Sequence, residues 1–170
     1  MLKIDNYHNL SIEEKQRQQE YINEVFGEVN FIQKRQWAHP DFVFAFKQED
    51  DLFSFFNLII REATFDNKKT KVAGVTNAVT PKHYRGKGYA SQLLTQAQPI
   101  IFKQLKVDHA LLLCTDELTD FYQHLGWYKV DSQVEFEQNH SIGHYQANTL
   151  LLSPQDPIYP KSINLNGLPW

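Results

Sequence analysis

The chain has 170 residues, of which 42% are hydrophobic, enough for one sizeable core and a single domain over residues 1–170. Its net charge of −3 argues against general nucleic-acid binding, and its single cysteine, Cys114, excludes an internal disulfide framework. Residues 1–10 lack a signal-peptide core and no apolar run is long enough to span a bilayer, so the expected setting is a reducing cytoplasm without a membrane partner.

In chain order, Ser11-Ile12-Glu13-Glu14 has the spacing of a capping box and opens a polar, Gln-rich helix. Its apolar contacts come late, at Tyr21, Ile22, Val25 and Phe26, and Gly27 is the expected stop. A second short helix is expected over residues 30–37, broken by His39-Pro40. Residues 42–47 read as a strand and Gln48-Glu49-Asp50-Asp51 as a solvated charged turn. Residues 52–65, rich in aromatic and branched side chains, read as a long strand. Asp66-Asn67-Lys68 turns the chain into a third strand over residues 71–79, completing an antiparallel meander.

Residues 89–105 place Ala90, Leu93, Leu94, Ala97, Ile101 and Leu105 on one helical face, and Pro99 inside that pattern predicts a kink or a division. Residues 110–114 form a continuous apolar run, as in a strand buried on both faces. Strand, helix and strand imply a right-handed crossover with parallel pairing. A short helix follows with Leu118, Phe121, Tyr122 and Leu125 on one stripe and Gly126 as its stop. Two more strands are expected within 127–136 and 145–152. His140 and His144 fall in a loop with Asn139 and Gly143, and no metal site is expected there. Residues 153–170, with four prolines, are expected to wrap the surface.

Chemistry concentrates at Arg85-Gly86-Lys87-Gly88-Tyr89-Ala90, between the third strand and the long helix. A glycine loop opening a helix exposes backbone N–H groups at a positive terminus, which suits phosphate. Two glycines allow close approach of the backbone, and Arg85 and Lys87 add charge. A Walker loop would need Ser or Thr after Lys87, and a dinucleotide fingerprint a third spaced glycine; neither is present.

The loop matches the signature Arg/Gln-x-x-Gly-x-Gly/Ala at Arg85, Gly88 and Ala90. With Phe121-Tyr122-Gln123-His124-Leu125-Gly126-Trp127 following in order, the chain resembles the GCN5-related N-acetyltransferases (GNAT). The resemblance implies an α/β fold whose mixed, splayed sheet joins an antiparallel meander to a central parallel pair, with helices on both faces. It implies acetyl-CoA as cofactor and direct transfer of acetyl to a primary amine of a small molecule or peptide. Arg85, Gly86, Lys87, Gly88, Tyr89 and Ala90 would then hold pyrophosphate. The Val79 amide would polarise the thioester carbonyl, Tyr122 would protonate the thiolate, and Thr115 would contact the pantetheine arm where many members have Asn.

Three departures matter. The strand ending at Val79 carries no carboxylate, where many members place the amine's base; the segment from Val79 to Arg85 is one residue longer than in many; and Thr115 replaces that Asn. Asp116 and Glu117 stand as substrate-side carboxylates or as helix-capping residues. Leu111-Leu112-Leu113-Cys114, Leu125-Gly126-Trp127 and the ending Asn166-Gly167-Leu168-Pro169-Trp170 resemble a branch related to aminoglycoside 2′-N-acetyltransferases. That likeness raises the Trp170 carboxylate as a group binding a cationic substrate, against a tail that simply packs its hydrophobic end onto the core. A non-catalytic acyl-CoA-binding module is the alternative function, an ATP-preferring nucleotide-binding protein is a further rival, and an edge strand near the C-terminus would support a homodimer.

Overall fold

A computed structural model of the chain describes residues 1–27 and 34–170. Half of the helix expected over residues 30–37, residues 30–33, lies outside the described residues. Ser11 caps α1 (Ile12–Phe26): its hydroxyl accepts from the Glu14 amide and the Glu14 carboxylate accepts from the Ser11 amide, both at 3.1 Å. The meander forms as expected, from β2 (Phe42–Gln48), β3 (Asp51–Phe65) and β4 (Lys68–Val79). These strands pair antiparallel. α2 (Tyr89–Pro99) continues as a π-helical turn over Ile100–Gln104. Pro99 lacks an N–H and its ring crowds the carbonyl four residues back, so the helix widens there instead of running straight.

The crossover from β4 through α2 leads into β5 (His109–Cys114), which pairs parallel with β4 at Val72↔His109, Ala73↔Ala110 and Gly74↔Leu111. Beyond Gly74 the two strands part. α3 (Asp116–Gln123) follows β5, and Gly126 ends that segment with φ of 89°. β6 (Tyr128–Val130) and β9 (Asn148–Leu152) complete that side of the sheet.

Side chains alternate across the sheet and so serve two cores. On one face Phe44, Phe56, Leu58, Ala73, Val75 and Leu112 pack against Leu93, Leu94, Ala97 and Ile101 of α2 and Tyr122 of α3. On the other face Val43, Ala45, Phe55 and Val79 meet Tyr21, Ile22 and Phe26 of α1, while Ile59, Val72, Leu111 and Leu151 pack with C-terminal residues. Helices therefore cover both faces of a mixed α/β sheet.

Four expectations change. The N-terminus adds β1 (Leu2–Asn6), antiparallel to β2. Residues 127–136 do not form one strand: they divide into β6, at one end of the sheet order, and β7 (Gln133–Gln138), next to the other end. The supposed loop at His140 and His144 contains β8 (Ser141–His144), which pairs with β7 as a hairpin. Gly143 stands opposite Phe136, whose ring would lie 2.2 Å from a Cβ there, so the glycine permits the pairing instead of marking a loop. The tail does not merely wrap the surface. It inserts β10 (Ser162–Asn164) between β3 and β7, and buries Ile163, Leu165 and Trp170. Its paired polar groups and apolar side chains make it part of the core.

The Trp170 indole lies over Gly74, where β4 and β5 part; a Cβ at Gly74 would stand 2.2 Å from Cε2 of the ring. Replacing Gly74 by Ala should displace the indole and destabilise the protein by about 1–3 kcal/mol, lowering Tm by roughly 2–10 °C. A melting curve superimposable on the parent's would contradict this packing.

Candidate active site

The glycine loop adopts a conformation that only its composition allows cheaply. Gly86 and Gly88 take φ of 75° and 76°, in the left-handed region. Gly88 is the N-cap of α2 and offers no side-chain capping bond. The first helical bond at this end runs from the Gln92 amide to the Gly88 carbonyl at 3.1 Å. The amides of the first turn therefore remain without intrahelical partners, and no atom lies within 4 Å of where a Cβ of Gly86 would stand. An uncapped helix start with open space before it fits a pyrophosphate group.

Aromatic and polar contacts hold the loop to the meander. Tyr89 stacks on Phe53 of β3 with ring centroids 4.9 Å apart, and Tyr84 meets Phe53 edge-on, also at 4.9 Å. The Tyr84 hydroxyl donates to Asp51 Oδ1 at 2.7 Å, an interaction that pushes its pKa up to about 12. The Lys87 ammonium lies 5.5 Å from the centre of the Tyr84 ring. Arg85 Nε donates to the Thr80 carbonyl at 2.9 Å, and Ser54 Oγ joins Thr80 Oγ1 (3.0 Å) to the Val79 carbonyl (3.2 Å). Strand end and loop thus form one connected unit.

Val79 is buried at the end of β4. Just before it the β3–β4 register shifts: Asn57 pairs with Thr76 and Phe55 with Val79, so Asn77 and Ala78 oppose the single residue Phe56. Asn77 takes φ of 51°. Such a bulge bends the strand and sharpens its twist. Among the described residues, the β5-facing edge of β4 from Val75 to Val79 has no strand partner.

Tyr122 is buried on α3, edge-on to Phe121 and Trp127. Burial, with a smaller contribution from Cys114, pushes its pKa up to about 12. Cys114 is itself buried, and burial raises its thiol pKa, which disfavours the thiolate that a cysteine nucleophile needs. Thr115 is the N-cap of α3 without a capping bond, and its hydroxyl donates to Glu117 Oε2 at 2.8 Å. Asp116 Oδ1 accepts from Asn148 Nδ2 at 2.7 Å. Trp170 belongs to the opposite face of the β4–β5 pair from Tyr122. Its amide donates to the Tyr145 hydroxyl at 3.1 Å, and that hydroxyl donates back to a Trp170 main-chain oxygen at 3.0 Å. The structure thus groups Val79 with the loop, sets Tyr122, Thr115, Asp116 and Glu117 on and just before α3, and places Trp170 across the sheet.

Sequence reasoning assigns no role to Ser54, Asn57 or Tyr145. Ser54 and Asn57 were visible as polar interruptions of an apolar strand. Asn57 is 1% exposed with Oδ1 unpartnered, beside the bulge. Nothing local marks Tyr145, whose importance comes from a contact 25 residues away.

The model of the acetyltransferase (GNAT) domain matches residues 6–130. No curated protein matches the sequence. Among solved structures, Escherichia coli ElaA is similar in fold, with a TM-score of 0.66 and 13% identity over 90% of this chain and 99% of that one. An acyl-CoA N-acyltransferase from Pseudomonas aeruginosa has a TM-score of 0.61 and 14% identity over 90% of this chain and 99% of its own. A GNAT-family acetyltransferase from Brucella melitensis in complex with acetyl-CoA has a TM-score of 0.60 and 7% identity over 96% of this chain and 94% of its own. Identities this low establish the likeness of fold alone. The domain match spans well over half of the sequence and includes the strand end, the glycine loop and α3, so the chain belongs to the GNAT acetyltransferase family.

Proposed function

We propose that this protein transfers acetyl from acetyl-CoA directly to a primary amine of a small molecule or peptide. The observation that carries the reading is the uncapped, glycine-opened start of α2 beside the unpaired end of β4. Bound acetyl-CoA supplies a thioester carbonyl as electrophile. The first-turn amides from Gly86 to Ala90, with Arg85 and Lys87, bind its pyrophosphate, and the Thr115 hydroxyl meets the pantetheine arm. The Val79 amide, on the edge that β5 leaves open, donates to the carbonyl oxygen as negative charge develops there.

Tyr122 serves the sulfur. A phenol held at about 12 keeps its proton throughout the physiological range. An ordinary thiol titrates at about 8.5, so complete transfer from this phenol is uphill; the phenol hydrogen-bonds to the developing thiolate, and the proton lost by the attacking amine ends on that sulfur to give the free CoA thiol. The buried, neutral Cys114 favours direct attack by the amine over an acyl-cysteine intermediate. On the acceptor side we assign Trp170, whose main-chain oxygen accepts from the Tyr145 hydroxyl and whose indole lies where the sheet parts. Asp116 and Glu117 lie on the rim formed by α3. The edge strand β8, with Ile142 exposed, is the surface a homodimer would use.

One observation favours a second reading: β4 carries no carboxylate to receive the amine's proton. A non-catalytic acyl-CoA-binding module would bind the same ligand and release no thiol with any amine.

Acetyl-CoA and CoA should raise Tm and ATP should not. At one hundred times Kd the stabilisation is about 2.7 kcal/mol, or roughly 5–10 °C for a chain of this size. Absence of a shift with either CoA species would remove the main support for the assignment. In a thiol-release assay with an active amine, Tyr122→Phe should lower kcat by about 100-fold, as expected for loss of one hydrogen-bond donor to developing charge, while CoA affinity stays the same; undiminished turnover would rule out the role given to Tyr122.

The same group makes a pH prediction. Its pKa lies near 10.0 in the unfolded chain and is raised to about 12 in the fold. The neutral form is therefore favoured by folding, and its contribution is fully present below the unfolded value and lost as pH rises through the folded one. Between pH 10 and 12 the urea midpoint should fall more steeply in the parent than in Tyr122→Phe; parallel slopes would count against the burial described for this phenol.

A further inference from the structure

Among the described residues, β4 and β5 do not pair beyond Gly74↔Leu111. From there β5 keeps only its partner on the other side, at Leu112↔Leu150, Leu113↔Thr149 and Cys114↔Asn148, so a gap opens toward Val79. By strand alternation, Gly74 and Thr76 of β4 share the tail-facing side with Leu111 and Leu113 of β5. Burial along this side changes at one place. Gly74 and Leu111 are buried, whereas Thr76 and Leu113, one step outward, are half-buried. The Trp170 indole marks that change. It is 5% exposed and rests face-on against the main chain: a Cβ at Gly74 would stand 2.2 Å from Cε2, 2.4 Å from Cδ2 and 2.6 Å from Nε1.

The ring is held from several directions. The Tyr145 hydroxyl accepts from the Trp170 amide at 3.1 Å and donates to its main-chain oxygen at 3.0 Å. The Arg61 guanidinium lies 5.3 Å from the ring centre, and its Nη1 donates to the carbonyls of Leu168 at 2.6 Å and Leu165 at 3.3 Å. The Pro169 carbonyl accepts from the Ala38 amide at 2.8 Å. Moving the indole aside for a larger ligand would break these bonds and uncover buried apolar surface. It therefore acts as a wall of the gap and not as a flap. The length of the gap follows from the strand beside it. Phe55 and Ile59 of β3 pair with Val79 and Gly74, and the four steps between them span about 13 Å. The contact distance of the ring takes at least about 4 Å of that, which leaves less than about 9 Å.

We infer that the Trp170 indole closes the inner end of this gap and limits the acyl group accepted on CoA to a short chain. Trp170 is then a specificity-determining residue for the acyl donor. The inference rests on the acetyl-transfer reading, in which CoA lies on the α2 side with Thr115 and Tyr122 and the Val79 amide holds the thioester carbonyl. Carbons beyond that carbonyl point away from the sulfur and enter the gap. An acetyl methyl ends well short of the ring. An extended dodecanoyl chain is longer than the space and meets it.

Calorimetric titration of acetyl-CoA and dodecanoyl-CoA into the full chain, the latter below its micellar concentration, tests this without an acceptor amine. The parent should bind acetyl-CoA at least about tenfold more tightly than dodecanoyl-CoA. Trp170→Ala vacates the space over Gly74 and should reduce that preference by at least about tenfold. Trp170→Phe keeps a smaller ring at the same place and should reduce it by less, which preserves the test if the alanine variant does not fold. Binding of acetyl-CoA by a variant verifies that it is folded. Dodecanoyl-CoA bound by the parent as tightly as acetyl-CoA, or an undiminished preference in the folded variants, would overturn the inference and leave the acetyl-transfer reading standing. Failure of the parent to bind acetyl-CoA would overturn both.

Discussion

The short pairing between β4 and β5 is the constraint on which the rest depends. Two parallel strands hydrogen-bonded along their full length would leave no main-chain edge free for a ligand. Here the pairing stops at Gly74↔Leu111. Two features keep it from continuing. The bulge at Asn77 and Ala78 turns the end of β4 and lets it re-pair with β3 at Val79. The Trp170 indole occupies the space over Gly74 on the opposite face from α2. The freed edge then sits immediately before the glycine loop, because the residues between Val79 and Arg85 bridge one to the other.

The loop illustrates how weak forces combine into a defined site. An uncapped helix start attracts anions, but a flexible one would lose binding energy to ordering. The stack of Tyr89 on Phe53 and the Tyr84–Asp51 hydrogen bond hold the loop to β3 before any ligand arrives. The Ser54–Thr80 contact does the same for the strand end. β3 is the common support. It pairs with β4 along one edge, with β2 and β10 along the other, and it carries the aromatic residue on which the loop rests.

The charge distribution has a matching logic. Arg85 and Lys87 belong to the loop that precedes the uncapped start of α2, whereas the carboxylates gather at the start of α1 and the β2–β3 turn. A chain with a small net charge can therefore present a cationic surface and an anionic one, because the opposing charges sit on different elements.

The local chemistry was legible without coordinates. Residues 42–79 spelled out the meander through β-branched and aromatic runs with a turn at Asp66-Asn67, and the observed strands match to within a few residues. The loop was legible because glycine at Gly86 and Gly88 signals backbone that other residues adopt at a cost, and Pro99 marked where α2 changes its turn. Each of these signals is short-range: propensity, period and backbone freedom act over a few residues. β10 and β1 were not legible. β10 is three residues in a Pro-rich tail, and Asn166, just beyond it, bonds to Glu62 across 104 positions. Too few side chains alternate in such a segment to declare a strand, and its register comes entirely from distant partners. The same holds for Trp170 over Gly74 and for Tyr145 against the terminus. By itself the sequence determined the meander, the helices and glycine loop that follow it, and the family to which the chain belongs. Tertiary structure alone decided which side chains meet, because long-range hydrogen bonding and burial join residues that no local pattern relates.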